Sequence, residues 1–367
     1  MLFGLDQGFI ANSLQTIQKV YGLDTKGAEH YSAILAIGEV IGALLSGLFA
    51  RFLGRKKSLV LSGFIFCAAS LFSAFLPPMA IMSSCRFFLG FAVGIASFTV
   101  PLYLSETAPA SIRGAMGTLF QLFITIGIFL ISVTNAFIAK WIVSPEKALP
   151  LMFAVIVIFA ALMFLGSLIL PESPRWLILK GRREQAIAVL QKTLNTPDDV
   201  HREIKDIEET LANQGVNIGI VFKGYFIKIL IVGIFLQMFQ RLVGINVMIY
   251  YAPTIFGYAG MKDIVAMMTV PTVNMLFTFP AIWLVEKWGR KKLLYVGALC
   301  MMITMVSAGI VFSMIGNQSD PAMIGAAPKP ILLVAVIIYI FGFAVSWDRW
   351  CGSSVRRFFP YREGSWE

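Results

Sequence analysis

The chain has 367 residues, of which 58% are hydrophobic and only 14% charged, so too little polar sequence exists to coat a soluble core of this size. Its natural solvent is the bilayer. The net charge of +10 sits in short clusters between apolar runs, a positive-inside pattern and not a nucleic-acid surface.

The first apolar piece covers about 1–13 and is too short to span a membrane alone. It looks like the middle of a helix, so no cleavable signal peptide is read there. Runs of roughly 20 apolar residues follow near 31–50, 58–77, 79–104, 115–139, 150–170, 225–251, 264–285, 293–315 and 330–347. Arg51, Arg55, Lys56 and Lys57 share one short loop, and Arg113 lies in the loop after the run at 79–104. Lys287, Arg290, Lys291 and Lys292 share another, and the polar stretch 171–222 is also basic. Counting spans places all four on one side, the cytoplasm. The opposite loops carry only scattered cations such as Lys140, Lys147, Lys262 and Lys329.

Residues 171–222 divide six helices from those that follow. Two readings stand for this stretch: short amphipathic helices at the cytoplasmic face, or a solvated linker. The chain also repeats a loop. Gly54-Arg-Lys-Lys57 follows one helix and Gly289-Arg-Lys-Lys292 the corresponding helix of the second half, as expected of an internally duplicated transporter.

Chemistry is sparse. Three of the four cysteines lie in apolar runs, and none form a CxxC pair. His30 and His201 are far apart. No metal, cofactor or enzymatic activity is expected. Charges inside a span are costly and are functional candidates by default. Asp6 interrupts the first apolar piece, and Arg86 lies roughly 12 Å down its helix. The alternative is a frayed Asp6 and an Arg86 that snorkels outward.

Five segments resemble the sugar porter family of the major facilitator superfamily. They are Gly4-Leu-Asp6-Gln-Gly8, the paired Gly-Arg-Lys-Lys loops, Glu106-Thr-Ala-Pro109 through Arg113-Gly114, Pro171-Glu-Ser-Pro-Arg-Trp176, and Gln240-Arg-Leu-Val-Gly-Ile-Asn246 through Tyr250 and Pro253. The resemblance implies an all-α membrane fold, the major facilitator fold of two six-helix bundles, with about 9–10 of the 12 helices present. The implied organisation is a first bundle over 1–170 with its first helix truncated, a cytoplasmic linker over 171–222, and an incomplete second bundle over 223–347. A tail over 348–367 reads as out of frame. Shifting a back-translation of that tail by one base yields an apolar helix with a pattern like Ser105-Glu106…Pro109…Arg113-Gly114.

The implied function is proton-coupled symport of a monosaccharide by alternating access, in a multi-pass protein of the cytoplasmic membrane. Its partners would be a sugar, a proton and the lipid bilayer, with no nucleic acid, and it would act as a monomer. The alternatives are a passive facilitator, a non-transporting sensor, or a non-functional remnant. By resemblance Asp6 accepts the proton and Arg86 is its partner. A carboxylate facing an arginine keeps its charge, and the same group shielded and unpaired takes a proton. Gln121, Gln240, Asn246 and Asn274, with Tyr250, would line the sugar cavity, since amides bond hydroxyls both ways. Their alternative role is to bond helix to helix. Arg241 stands where a second glutamine is usual and would alter selectivity or pair with an acid. Glu106, Arg113, Glu172, Arg175, Glu286 and Arg290 would form a cytoplasmic charge network that latches the halves. Arg51 replaces the usual aspartate of the first loop.

Overall fold

The computed structural model describes residues 1–109, 113–194, 196–213, 225–245, 263–288, 290–315 and 328–346. Asn246, Tyr250 and the tail 348–367 lie outside the described residues, as do the side chains of Arg113, Arg241, Glu286 and Arg290. Among the described residues there are thirteen helices and no strand. The first six long helices are α1 (Leu2–Tyr21), α2 (Thr25–Phe52), α3 (Arg55–Ala74), α4 (Met79–Thr107), α5 (Arg113–Trp141) and α6 (Pro145–Ile169). Three short ones follow, α7 (Pro174–Leu179), α8 (Arg183–Thr193) and α9 (Pro197–Asn213). The second half contributes α10 (Tyr225–Leu242), α11 (Asp263–Trp288), α12 (Arg290–Ile315) and α13 (Pro328–Val345).

Helix α1 is longer than its apolar stretch. It runs for 20 residues to Tyr21, because Asn12 and Ser13 turn into the protein and do not begin a loop. The Ser13 hydroxyl donates to the Phe9 carbonyl at 2.7 Å, within the helix. Gly22 then ends α1 with φ 62°, and its N–H donates to the Gln18 carbonyl, a left-handed stop that suits glycine. Asp24 starts α2 by accepting the Gly27 N–H at 2.7 Å. That cap carries α2 back through Lys26, Glu29 and His30, ahead of the apolar run.

Six described segments are long and apolar enough to cross a bilayer: Thr25–Phe52, Arg55–Ala74, Met79–Thr107, Leu119–Trp141, Pro145–Ile169 and Lys292–Ile310. Their outward faces carry large apolar side chains such as Leu44, Phe52, Ile158 and Leu162, all more than half exposed. Such faces are intolerable in water and natural against lipid.

Within the first half, Leu5, Phe9, Ile17, Tyr31, Phe66, Met82, Leu89, Phe153 and Ile156 form one buried core. The rings of Phe9 and Phe153 lie 4.6 Å apart. Glycine permits the closest helix contacts. A Cβ on Gly38 or Gly42 of α2 would strike α4 backbone, and one on Gly90 or Gly94 of α4 would strike α2. Backbones this close gain dispersion contacts that lipid does not offer. Gly4 and Gly8 seat α1 on α5 in the same way. In the second half Ile245, Val270, Met301, Val336, Tyr339 and Phe343 cluster, with Ala11 of α1 packed against them. Helix α11 also packs along α5, so the two halves meet.

The described part of the polar segment is largely helical, in α7 to α9. Val200 and Ile204 on one face of α9 pack with Leu190 of α8, and the other face is charged and exposed. The amphipathic period accounts for this.

Candidate functional site

Asp6 lies midway between Gly4 and Gly8, the two glycines that face α5. At roughly 100° per residue it points to the opposite side of α1. There its Oδ1 meets Arg86 Nη1 of α4 at 2.6 Å, and both side chains are only 1% exposed. The Arg86 guanidinium carbon also sits 5.6 Å from the centroid of the Tyr31 ring of α2, a cation–π distance. Three helices therefore converge on one buried charge pair. Asp6 Oδ2 accepts no hydrogen bond from the described residues.

The amides are placed but less closely tied. Gln121 on α5 and Gln240 on α10 are half-buried. Asn274 on α11 is buried, and its carbonyl accepts the Thr278 hydroxyl at 2.8 Å. Gln121 and Asn274 ride on helices that pack along each other. A cavity of about 280 Å³ opens inside the first half, lined by residues such as Met1, Phe3, Phe66, Val93 and Phe123. It includes none of these amides. Its walls are apolar, which is wrong for a ring of hydroxyls.

At the end of the bundle bearing the first basic loop, Glu106 and Glu172 share partners. The Glu106 carboxylate takes Arg55 Nε at 2.8 Å and Nη2 at 2.7 Å, a fork-to-fork pair. It also accepts the Ser173 hydroxyl at 2.6 Å. Glu172 Oε1 accepts the backbone N–H groups of Arg55 (2.9 Å), Lys56 (3.0 Å) and Ser173 (2.9 Å). The first two are orphan donors at the start of α3, where an acid is favoured. Gly54 brings the chain there with φ 95°, and a Cβ at Gly54 would collide with Glu172 Oε2. Trp176 Nε1 closes the cluster by donating to the Arg51 carbonyl at 3.1 Å. Arg175 lies half-buried in α7 beside this cluster.

Sequence reasoning overlooked several of these residues. Arg55 was legible only as a topology-setting cation, although it carries the ion pair with Glu106. Tyr31 gave no signal, and Ser173 stood within the Pro171–Trp176 motif without a role assigned to it. Glu39 did: it is an acid inside the apolar run 31–50, half-buried on α2, and the rule that singled out Asp6 and Arg86 applies to it equally.

Comparison with known proteins identifies the family of the chain. A family model described as "Sugar (and other) transporter" matches residues 1–362. The galactose-proton symporter of Escherichia coli K12 is 38% identical over 352 residues, covering 94% of this chain and 73% of that protein. The D-xylose transporter of Levilactobacillus brevis is 35% identical over 358 residues, covering 95% and 74%. Among solved structures, the xylose transporter of E. coli in a partially occluded inward-open conformation superposes with a TM-score of 0.81 at 29% identity, covering 96% of this chain and 83% of that one. The same transporter bound to 6-bromo-6-deoxy-D-glucose also gives 0.81, at 30% identity over 96% and 78%. With its membrane-crossing helices and this overall likeness, the chain is an integral membrane protein that belongs to the sugar transporter family of the major facilitator superfamily.

Proposed function

We propose that the chain carries out proton-coupled symport of a monosaccharide by alternating access. The observation that carries this reading is the buried pair between Asp6 and Arg86, 2.6 Å apart. With Asp6 charged, the pair holds α1 against α4. A proton on Asp6 removes one charge and frees the guanidinium to shift, so protonation and conformation are linked. The named relatives move galactose or xylose, and a hexose or pentose is the substrate class proposed here. Its hydroxyls would be met between the halves by Gln121, Gln240 and Asn274, joined by Asn246 and Tyr250. Arg241, a residue on from Gln240, would set selectivity.

The organisation that goes with this reading is a bundle over 1–170, a linker over 171–222 and a second bundle over 223–347. One chain holds both halves, so a monomer suffices. The basic loops would face the cytoplasm across the cytoplasmic membrane. The cluster of Glu106, Arg55, Glu172 and Ser173 would latch the inner ends, with Arg113, Arg175, Glu286 and Arg290 as further members.

Reconstitution in proteoliposomes with an imposed pH gradient tests the central claim. Asp6→Asn abolishes uphill accumulation of D-galactose or D-xylose while counterflow exchange persists. Equal accumulation by Asp6→Asn and the unaltered chain rejects Asp6 as the proton site. Exchange without uphill accumulation in the unaltered chain makes it a passive facilitator.

A further inference from the structure

A second carboxyl lies deep in the membrane, and the pair just described leaves it unused. Glu39 is near the middle of the 28-residue α2, roughly 20 Å from either end at 1.5 Å per residue. Gly90 and Gly94 of α4 lie so close that a Cβ on Gly94 would strike the Glu39 carbonyl, and one on Gly90 would sit 3.1 Å from its amide nitrogen. At Glu39, then, α2 is flush with α4, and the side chain must emerge along one edge of that contact.

The two edges of α2 differ. Ile37, Ile41, Leu44, Leu45 and Leu48 lie on one flank, large, apolar and exposed, as lipid requires. Ser32, Ala36, Ala43 and Gly47 share the Glu39 flank, and none of them is a large apolar group. Glu39 therefore leaves α2 on the side away from the lipid flank. An ionisable side chain at this depth is retained where it faces a partner or a water-filled path.

Position along the helix supplies the second argument. Glu39 is two turns beyond Tyr31, whose ring lies over Arg86, about 12 Å along the axis. Helix α2 ends at Phe52, beside the basic loop that contains Arg55 to Lys57. Glu39 thus lies between the Asp6–Arg86 pair and the end of the bundle bearing the basic loops.

We infer that Glu39 is a second proton-binding carboxyl, lying between the Asp6–Arg86 pair and the cytoplasm. It takes up a proton as Asp6 gives one up inward and returns it to the cytoplasmic solution. Its role in coupling rests on the symport reading; its capacity to bind a proton inside the membrane does not. Among the described residues, the helices around Glu39 carry the following charged groups. Helix α4 brings Arg86 toward the outer end and Glu106 at the far inner end; α1 brings Asp6. Helix α3 brings Arg55, Lys56 and Lys57 only at its inner end, and α2 itself adds Lys26, Glu29, His30 and Arg51 near its termini.

Two measurements on the 367-residue chain separate these claims. A hydrophobic carbodiimide reacts with protonated carboxyls in apolar surroundings, and mass spectrometry maps the product. Labelling of Glu39 that rises as pH is lowered, with exposed Glu29 left to a water-soluble carbodiimide, is the expected result. No labelling of Glu39 at any pH, or labelling that ignores pH, overturns the inference whether or not the chain transports sugar. In proteoliposomes, Glu39→Gln should cut the acid stimulation of D-galactose or D-xylose uptake by about fivefold or more, and Glu39→Asp should retain most of it. Acid stimulation unchanged in Glu39→Gln overturns the coupling role. Absence of uptake in the unaltered chain is the failure of the symport reading, and the labelling result then decides Glu39 alone.

Discussion

Two ion pairs in the first half look alike on paper and differ in every physical respect. Asp6 and Arg86 are both 1% exposed, and one of the Asp6 oxygens has no hydrogen-bond partner among the described residues. Glu106 and Arg55 are 5% and 14% exposed, and Glu106 takes both arms of the guanidinium and a serine hydroxyl besides. A charge pair this deep in the bilayer is costly to keep, and on the symport reading one proton would switch it. A pair with its lone pairs filled, beside the helix end capped by Glu172, is a fastener. The comparison teaches that two ion pairs of similar length can differ in burial and in how fully their hydrogen-bonding capacity is met.

The largest expected effect comes from breaking the buried pair on one side only. Arg86→Ala leaves a carboxylate with no counter-charge, and such losses run to about 3–5 kcal/mol. The detergent-solubilised variant should melt well below the parent, and Asp6→Asn/Arg86→Gln should recover most of the difference. If the double variant melts as low as the single, the pair is not a coupled unit. A smaller loss, about 1–3 kcal/mol, is expected for Glu106→Ala, which strips Arg55 and Ser173 of their acceptor. Glu106→Gln should fall between, because it keeps an acceptor oxygen; a Gln variant no better than Ala would deny the hydrogen-bond account. The smallest effect belongs to Arg183 and Glu208, 2.7 Å apart but 58% and 42% exposed. Solvent screening holds Arg183→Ala below about 1 kcal/mol. Added salt should erase that effect while leaving the Arg86→Ala deficit intact, which is the sharpest contrast between a wet pair and a dry one.

Much of the molecule was legible in advance because its solvent leaves few options. A lipid-facing helix must be apolar outside and satisfied in its backbone, so spans announce themselves. Helices α3 to α6 fall where the apolar runs lie. Helix α1 did not announce its length, because the apolar piece ends near Ser13 and the burial of Asn12 and Ser13 depends on neighbouring helices. The second half of the linker region was open between coil and helix until Val200 and Ile204 found Leu190. Asp6 and Arg86 stood out by chemistry alone. Arg55 did not, since its partner is 51 residues away and nothing local distinguishes one loop cation from the next. Glu39 obeyed the same rule as Asp6 and was masked by the apolar residues around it.

By itself, then, the sequence determined the solvent, the helical class, the side of the membrane expected for the basic loops, and which charges have no business in a span. These follow from local composition and the cost of moving polar groups into hydrocarbon. The family resemblance already named Arg86 as the partner of Asp6, but only the tertiary structure decided how the charges meet. It set Asp6 against Arg86 through the glycine seat of α1 on α5, gave Glu106 to Arg55, and brought the backbone at Glu39 flush with Gly90 and Gly94 of α4. Pairing depends on how two helices approach, and that approach is set by packing along their whole length.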